Sequence, residues 1–168
     1  DLISIEEVKV ALRRVKNGKA AGYDRITPEM MKNMGEKGIN VFREICQKAW
    51  NSKEIPQDWK MAMIVPAYKN GDKKRCDNYR GINLLCTALK VYEAILESRL
   101  KISTEDTLDK AQSGFMRGRS VQDHIFTLKQ TIHKMKRSGR KAYFVFIDLV
   151  KAFDRVSRSK MWDILKTR

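Results

Sequence analysis

A mixed α+β fold is what this chain of 168 residues predicts, on three observations. Apolar residues recur at helical spacing in several separate stretches. Two short strand-like runs, 61–66 and 79–82, are separated by the turn signal Asn70-Gly71-Asp72 and a basic segment, which reads as a hairpin. A third run, 143–147, is an unbroken Tyr-Phe-Val-Phe-Ile sequence. That composition predicts a short strand buried on both faces.

The elements follow in order. Ser4 with Glu7 makes a capping box, and Ile5, Val8, Leu12 and Val15 predict a helix over 5–16, stopped by Asn17-Gly18. Thr27 is suited to an N-cap and Pro28 to a first helical position, so a short helix is expected over 28–34. Residues 39–51 carry Val41, Phe42, Ile45, Ala49 and Trp50, an amphipathic helix. A connector with Ile55-Pro56 and Trp59 precedes the hairpin, whose basic part holds Lys69, Lys73, Lys74 and Arg75. A long core helix is expected over 83–100, with Lys90, Glu93 and Arg99 toward solvent. Ser120 then caps a helix over 121–136. Between Lys129 and Lys141 stand six basic residues and no acidic one, a face that suits either a nucleic-acid backbone or a solvated helix end. Ser157 or Ser159 caps a last helix with Met161, Trp162 and Leu165.

Lys and Arg number 35 against 20 Asp and Glu, a formal charge of +15. An excess of that size predicts an anionic partner, nucleic acid first among them. The cysteines at 46, 76 and 86 have no Cys-x-x-Cys spacing and no zinc pattern with His124 or His133. They read as reduced thiols of an intracellular protein, nuclear or cytoplasmic, with two of them buried. No signal peptide or membrane-crossing apolar run is present. The start at Asp1, without methionine, reads as a piece of a longer protein.

Asp148 ends the apolar run 143–147. A carboxylate at a strand tip is commonly a turn former or a helix cap. The same position also suits metal-dependent phosphoryl transfer, where two cations are held about 3.5–4 Å apart.

Four motifs carry a resemblance to one family. Phe146, Asp148, Lys151, Ala152, Phe153 and Asp154 match the first catalytic motif of reverse transcriptases in the form used by LINE-type (non-LTR) retrotransposons. Lys19, Gly22, Asp24 and Ile26 resemble a segment near the start of the same domain. Trp59, Ile64, Pro66, Lys69, Gly71-Asp72, Asn78-Tyr79-Arg80, Ile82 and Leu84-Leu85 resemble its fingers hairpin, with Gly81 where many relatives have proline. Gln112, Gly114, Phe115, Gly118, Arg119, Ser120 and Asp123 resemble the next motif, with Met116 in place of its usual arginine, Arg117 beside it and Val121 in place of threonine.

The resemblance implies a helix-rich fingers region over 1–140 and the first strand of a palm over 141–168. It implies that Asp148 is catalytic and a ligand to two Mg2+ ions, or Mn2+. Arg80, Lys69 and Phe153 would contact the incoming deoxynucleoside triphosphate, Phe153 by packing against its sugar, where the ring would clash with a 2′-hydroxyl and so select deoxynucleotides. Lys19, Arg117 and Arg119 would contact the template. The partners implied are an RNA template, a DNA primer and deoxynucleotides, with no membrane; the oligomeric state is open. The family's second motif, Tyr-x-Asp-Asp, is absent, and no two aspartates are adjacent. The expected function is therefore that of a fragment of an RNA-directed DNA polymerase, inactive alone. A non-catalytic, basic nucleic-acid-binding relic or domesticated module is the alternative.

Overall fold

The computed structural model describes every residue except Glu105, Asp106, Lys110, Arg117, Lys151 and Arg168, and describes Asp154 by its backbone alone. It divides into two compact units, Asp1–Leu108 and Asp109–Arg168.

Local chemistry starts the first unit. Ser4 caps helix α1 (Ile5–Arg14). Its Oγ accepts from the Glu7 N–H at 3.1 Å, and the Glu7 carboxylate accepts from the Ser4 N–H at 2.8 Å, so each residue satisfies a donor of the other. The helix ends before the expected residue 16, because Val15 turns to extended backbone. Thr27 caps α2 (Pro28–Lys32), its Oγ1 accepting from the Met30 N–H at 3.3 Å, with Pro28 at the start. Helix α3 (Gly35–Ser52) begins one turn earlier than its apolar stripe announces and closes at Lys53 in the left-handed region.

Helix α1 packs on α3 and on α4 (Thr87–Thr104), and the core lies between them. Trp59, on a single 3-10 turn over Gln57–Lys60, is buried in it. The Trp59 ring lies 6.2 Å from that of Phe42 and 5.6 Å from that of Tyr92. Cys46 and Cys86 are buried in this core and Cys76 is exposed, all three free.

The one sheet among the described residues is an antiparallel hairpin. Strands β1 (Ala62–Tyr68) and β2 (Tyr79–Leu85) pair in register from Ala62 opposite Leu85 to Tyr68 opposite Tyr79. Asn83, Leu84 and Leu85 therefore belong to β2, not to the start of the following helix. Leu84-Leu85 fits either state locally; pairing with Met63 and Ala62 decides it.

In the second unit, α5 (Val121–Arg137) is capped by Ser120 as expected. Short helices α6 (Ala152–Arg155) and α7 (Arg158–Lys166) follow, α7 with Ser157 as its N-cap. The strand expected over 143–147 is not formed, and these residues are exposed. A strand exists only through its ladder partners, and among the described residues no segment pairs with this run. The fold is thus α+β, with helices and a two-stranded sheet.

Candidate nucleotide and nucleic-acid interface

The hairpin supplies the clearest arrangement of functional side chains. Its connecting loop is tied down by its own polar groups. The Lys69 N–H donates to the Asn78 carbonyl at 2.9 Å, extending the ladder by one pair. Asp72 holds the tip: its Oδ1 accepts from the Lys74 N–H at 2.9 Å and its carbonyl from Asn78 Nδ2 at 2.8 Å. The Tyr79 hydroxyl donates to the Lys73 carbonyl at 3.0 Å, and the Tyr68 hydroxyl donates to the Gly71 carbonyl. A loop so bonded presents its cations from a fixed backbone.

Alternation along the strands sorts the side chains. Tyr68 and Tyr79 are direct cross-strand partners, so they share one face, with ring centroids 5.6 Å apart. Ala67 and Arg80, also partners, lie on the other. Lys69, one residue beyond Tyr68, falls on the Arg80 face. The cations differ in what they already do. Lys73 Nζ sits over the Tyr68 ring at 5.5 Å, and Arg75 pairs with Asp77 at 3.7 Å. Lys69, Lys74 and Arg80 are exposed and have no side-chain partner among the described residues. Two free cations on one face of a fixed ladder can brace a polyphosphate.

Lys19 lies exposed on the loop between α1 and α2, in the same unit. That loop is fastened at both ends. The Gly18 N–H donates to Glu29 Oε1 at 2.6 Å, which holds the Glu29 carboxyl below its ordinary range. At the far end Thr87 Oγ1 donates to the Ile26 carbonyl at 2.6 Å. Between them Gly22 packs on the junction of β2 and α4. A Cβ there would lie 2.5 Å from the Cys86 nitrogen. Nothing in the local sequence marks Thr87 or the Gly22–Cys86 approach, because both join residues more than sixty positions apart.

The second unit holds Arg119, Asp148 and Phe153. Arg119 Nη1 donates to the Gln112 carbonyl at 2.7 Å and the Asp109 carbonyl at 3.4 Å, so its guanidinium secures its own loop. Asp123 accepts from the Ser120 N–H at 2.8 Å and completes the α5 cap. Asp148 is exposed in the irregular segment before α6, and Phe153 is exposed on α6. Arg117, expected at the template, lies outside the described residues.

Residues 69–168 match the family model described as reverse transcriptase (RNA-dependent DNA polymerase). The chain belongs to the reverse transcriptase family. Its relatives are products of transposons and retrotransposable elements, the LINE-type branch that its motifs resemble. It is 31% identical over 159 residues to the probable RNA-directed DNA polymerase from transposon BS of Drosophila melanogaster, covering 92% of this chain and 17% of that protein. It is 29% identical over 154 residues to the transposon TX1 uncharacterized 149 kDa protein of Xenopus laevis, covering 92% and 12%. A Pol polyprotein of the type-2 retrotransposable element R2DM of Drosophila melanogaster is 25% identical, covering 97% and 15%. The chain thus spans about a sixth or less of the length of these relatives.

The family implies divalent metal ions. Among the described residues no three His, Cys, Asp or Glu side chains converge in a way that fits one. Asp148 by itself does not make an ion centre. Among the described residues, no helix is long and apolar enough to cross a membrane.

Proposed function

We propose that this chain is the template- and nucleotide-binding part of an RNA-directed DNA polymerase of a LINE-type element, with residues 1–140 as fingers and 141–168 as the beginning of the palm. The observation that carries the reading is the hairpin, with Arg80 and Lys69 unpartnered on one face of a backbone held rigid by Asp72, Asn78 and Tyr79. In the longer protein a primer 3′-hydroxyl attacks the α-phosphorus of a deoxynucleoside triphosphate in line, and pyrophosphate leaves. Arg80 and Lys69 brace the triphosphate. The Phe153 ring excludes a 2′-hydroxyl, and Lys19, Arg117 and Arg119 are the template-binding residues. Asp148 is the carboxylate of this chain that would hold Mg2+ or Mn2+ once the rest of the palm contributes its own. The run 143–147 would then gain ladder partners as a palm strand.

The chain by itself binds primer–template without extending it, since its sequence offers no adjacent aspartate pair. The test is primer extension on an RNA template, with this chain and with the longer protein. Extension by the longer protein alone, lost in Asp148→Asn, is expected. Undiminished extension by Asp148→Asn overturns the reading. Extension by this chain alone overturns the division of labour.

A further inference from the structure

The cations assigned to template and to nucleotide in the first unit lie on two segments far apart in sequence, the loop carrying Lys19 and the hairpin carrying Arg80. Two contacts join them. Gly22 is buried against the backbone of Leu85 and Cys86, where β2 passes into α4. Its missing Cβ is what permits the approach: the atom would lie 2.5 Å from the Cys86 nitrogen and 2.7 Å from its Cα, inside contact distance of backbone that cannot swing aside. One residue on, Thr87 is the buried polar residue of the core, and its hydroxyl donates to the Ile26 carbonyl at 2.6 Å.

The loop is also closed on itself. The Arg25 N–H donates to the Gly22 carbonyl at 3.1 Å, and Asp24 Oδ1 accepts from the Ile26 N–H at 3.1 Å. With the backbone so fixed, Lys19, Tyr23 and Arg25 are left exposed. Lys19 and Arg25 have no side-chain partner among the described residues.

We propose that Gly22 and Thr87 are positioning residues that fasten the Lys19–Arg25 loop to the root of the Arg80 hairpin, so that the loop meets the template's phosphodiester backbone and the hairpin meets the incoming triphosphate from a single rigid surface. The inference rests on the polymerase reading above. Thr87 touches no nucleic acid; it acts through Ile26 on the loop. A cation on a fixed backbone loses less freedom on binding than one on a mobile loop, and that difference is the gain in affinity.

The test uses the full chain and a labelled DNA primer annealed to a longer RNA strand, titrated over a range of salt. Lys19→Gln is expected to weaken binding about fivefold and to flatten the slope of log K against log salt by about one. Thr87→Val is expected to do the same, and Thr87→Ser, which keeps the donor, to restore both. In the Thr87→Val background Lys19→Gln adds nothing, because the contact is already lost. Thr87→Val that lowers thermal stability but leaves affinity and slope at wild type overturns the proposal, as do losses that simply add. Lys19→Gln, an exposed substitution, keeps the test decisive where Thr87→Val does not fold: wild-type affinity and slope overturn the proposal. A wild-type chain that does not bind the primer–template overturns the polymerase reading, and this inference with it.

Discussion

Arg99 and Glu7, 92 residues apart in the chain, form a two-point ion pair, with Nε to Oε1 at 2.7 Å and Nη2 to Oε2 at 3.1 Å. Arg99 also donates to the Leu2 carbonyl at 2.8 Å and stacks over Trp50 at 5.0 Å. Helical spacing alone turns Arg99 toward solvent; instead it ties α4 to the start of α1. The bond from Arg99 holds the Glu7 carboxyl down at about 2, from an ordinary 4.5.

A depressed carboxylate stabilises the fold above its unfolded value and loses that contribution as pH falls through its folded one. Glu7→Gln is therefore expected to cost about 1–2 kcal/mol at neutral pH, allowing for partial solvent screening. The gap to wild type should close between pH 4.5 and about 2. Urea unfolding at a series of pH values measures this; a gap independent of pH contradicts it.

Thiol chemistry should separate the cysteines. Burial pushes the Cys46 thiol up to about 12 and raises that of Cys86. Cys76 is exposed beside the hairpin turn. A thiolate-seeking reagent should modify Cys76 promptly in the native protein, and Cys46 and Cys86 only on unfolding. Prompt native labelling of all three would place the core elsewhere.

Trp59→Ala should be among the most damaging single changes in the first unit, costing about 3–5 kcal/mol. It removes the ring shared by Phe42 and Tyr92. Denaturant midpoints measure it. A loss under about 1 kcal/mol would mean that the site collapses around the gap.

Two glycines of the same loop should respond differently to alanine. Gly22→Ala drives a Cβ into fixed backbone and should cost about 1–3 kcal/mol. Gly18, with φ at +69°, has open space around it. Gly18→Ala should cost only the left-handed strain, about 1 kcal/mol. Equal costs would remove the special status of the Gly22–Cys86 approach.

On the function proposed above, in which Phe153 excludes a 2′-hydroxyl, Phe153→Val in an extending polymerase that contains this chain should raise ribonucleotide incorporation relative to deoxynucleotide about tenfold or more. Competition between the two nucleotides on one primer–template measures it. An unchanged ratio would remove Phe153 from the discrimination.

What the sequence made legible was what neighbours in the chain decide. The Ser4–Glu7 box, the Thr27–Pro28 start and the Ser120 cap lie within a few residues of their partners, and all three stand in the structure. The hairpin was legible from Asn70-Gly71-Asp72, but its extent was not, because Leu84 and Leu85 take their state from residues across the ladder. Trp59 reads as part of a connector and is buried in the core between Phe42 and Tyr92. The contacts of Arg99 with Glu7 and of Gly22 with Cys86 bridge distances that no local pattern encodes. The motif residues were legible as a family signature, whereas the positioning role proposed for Thr87 needed the fold.

The unpaired run over 143–147 has a practical side. Five consecutive β-prone residues without charge, proline or glycine, left in water, have the makings of a self-adhesive strip. Copies of the chain at high concentration can satisfy one another's open backbone there, in the manner of a steric zipper. A charge placed inside the strip breaks it, so Val145→Lys should raise the concentration at which the protein first scatters light.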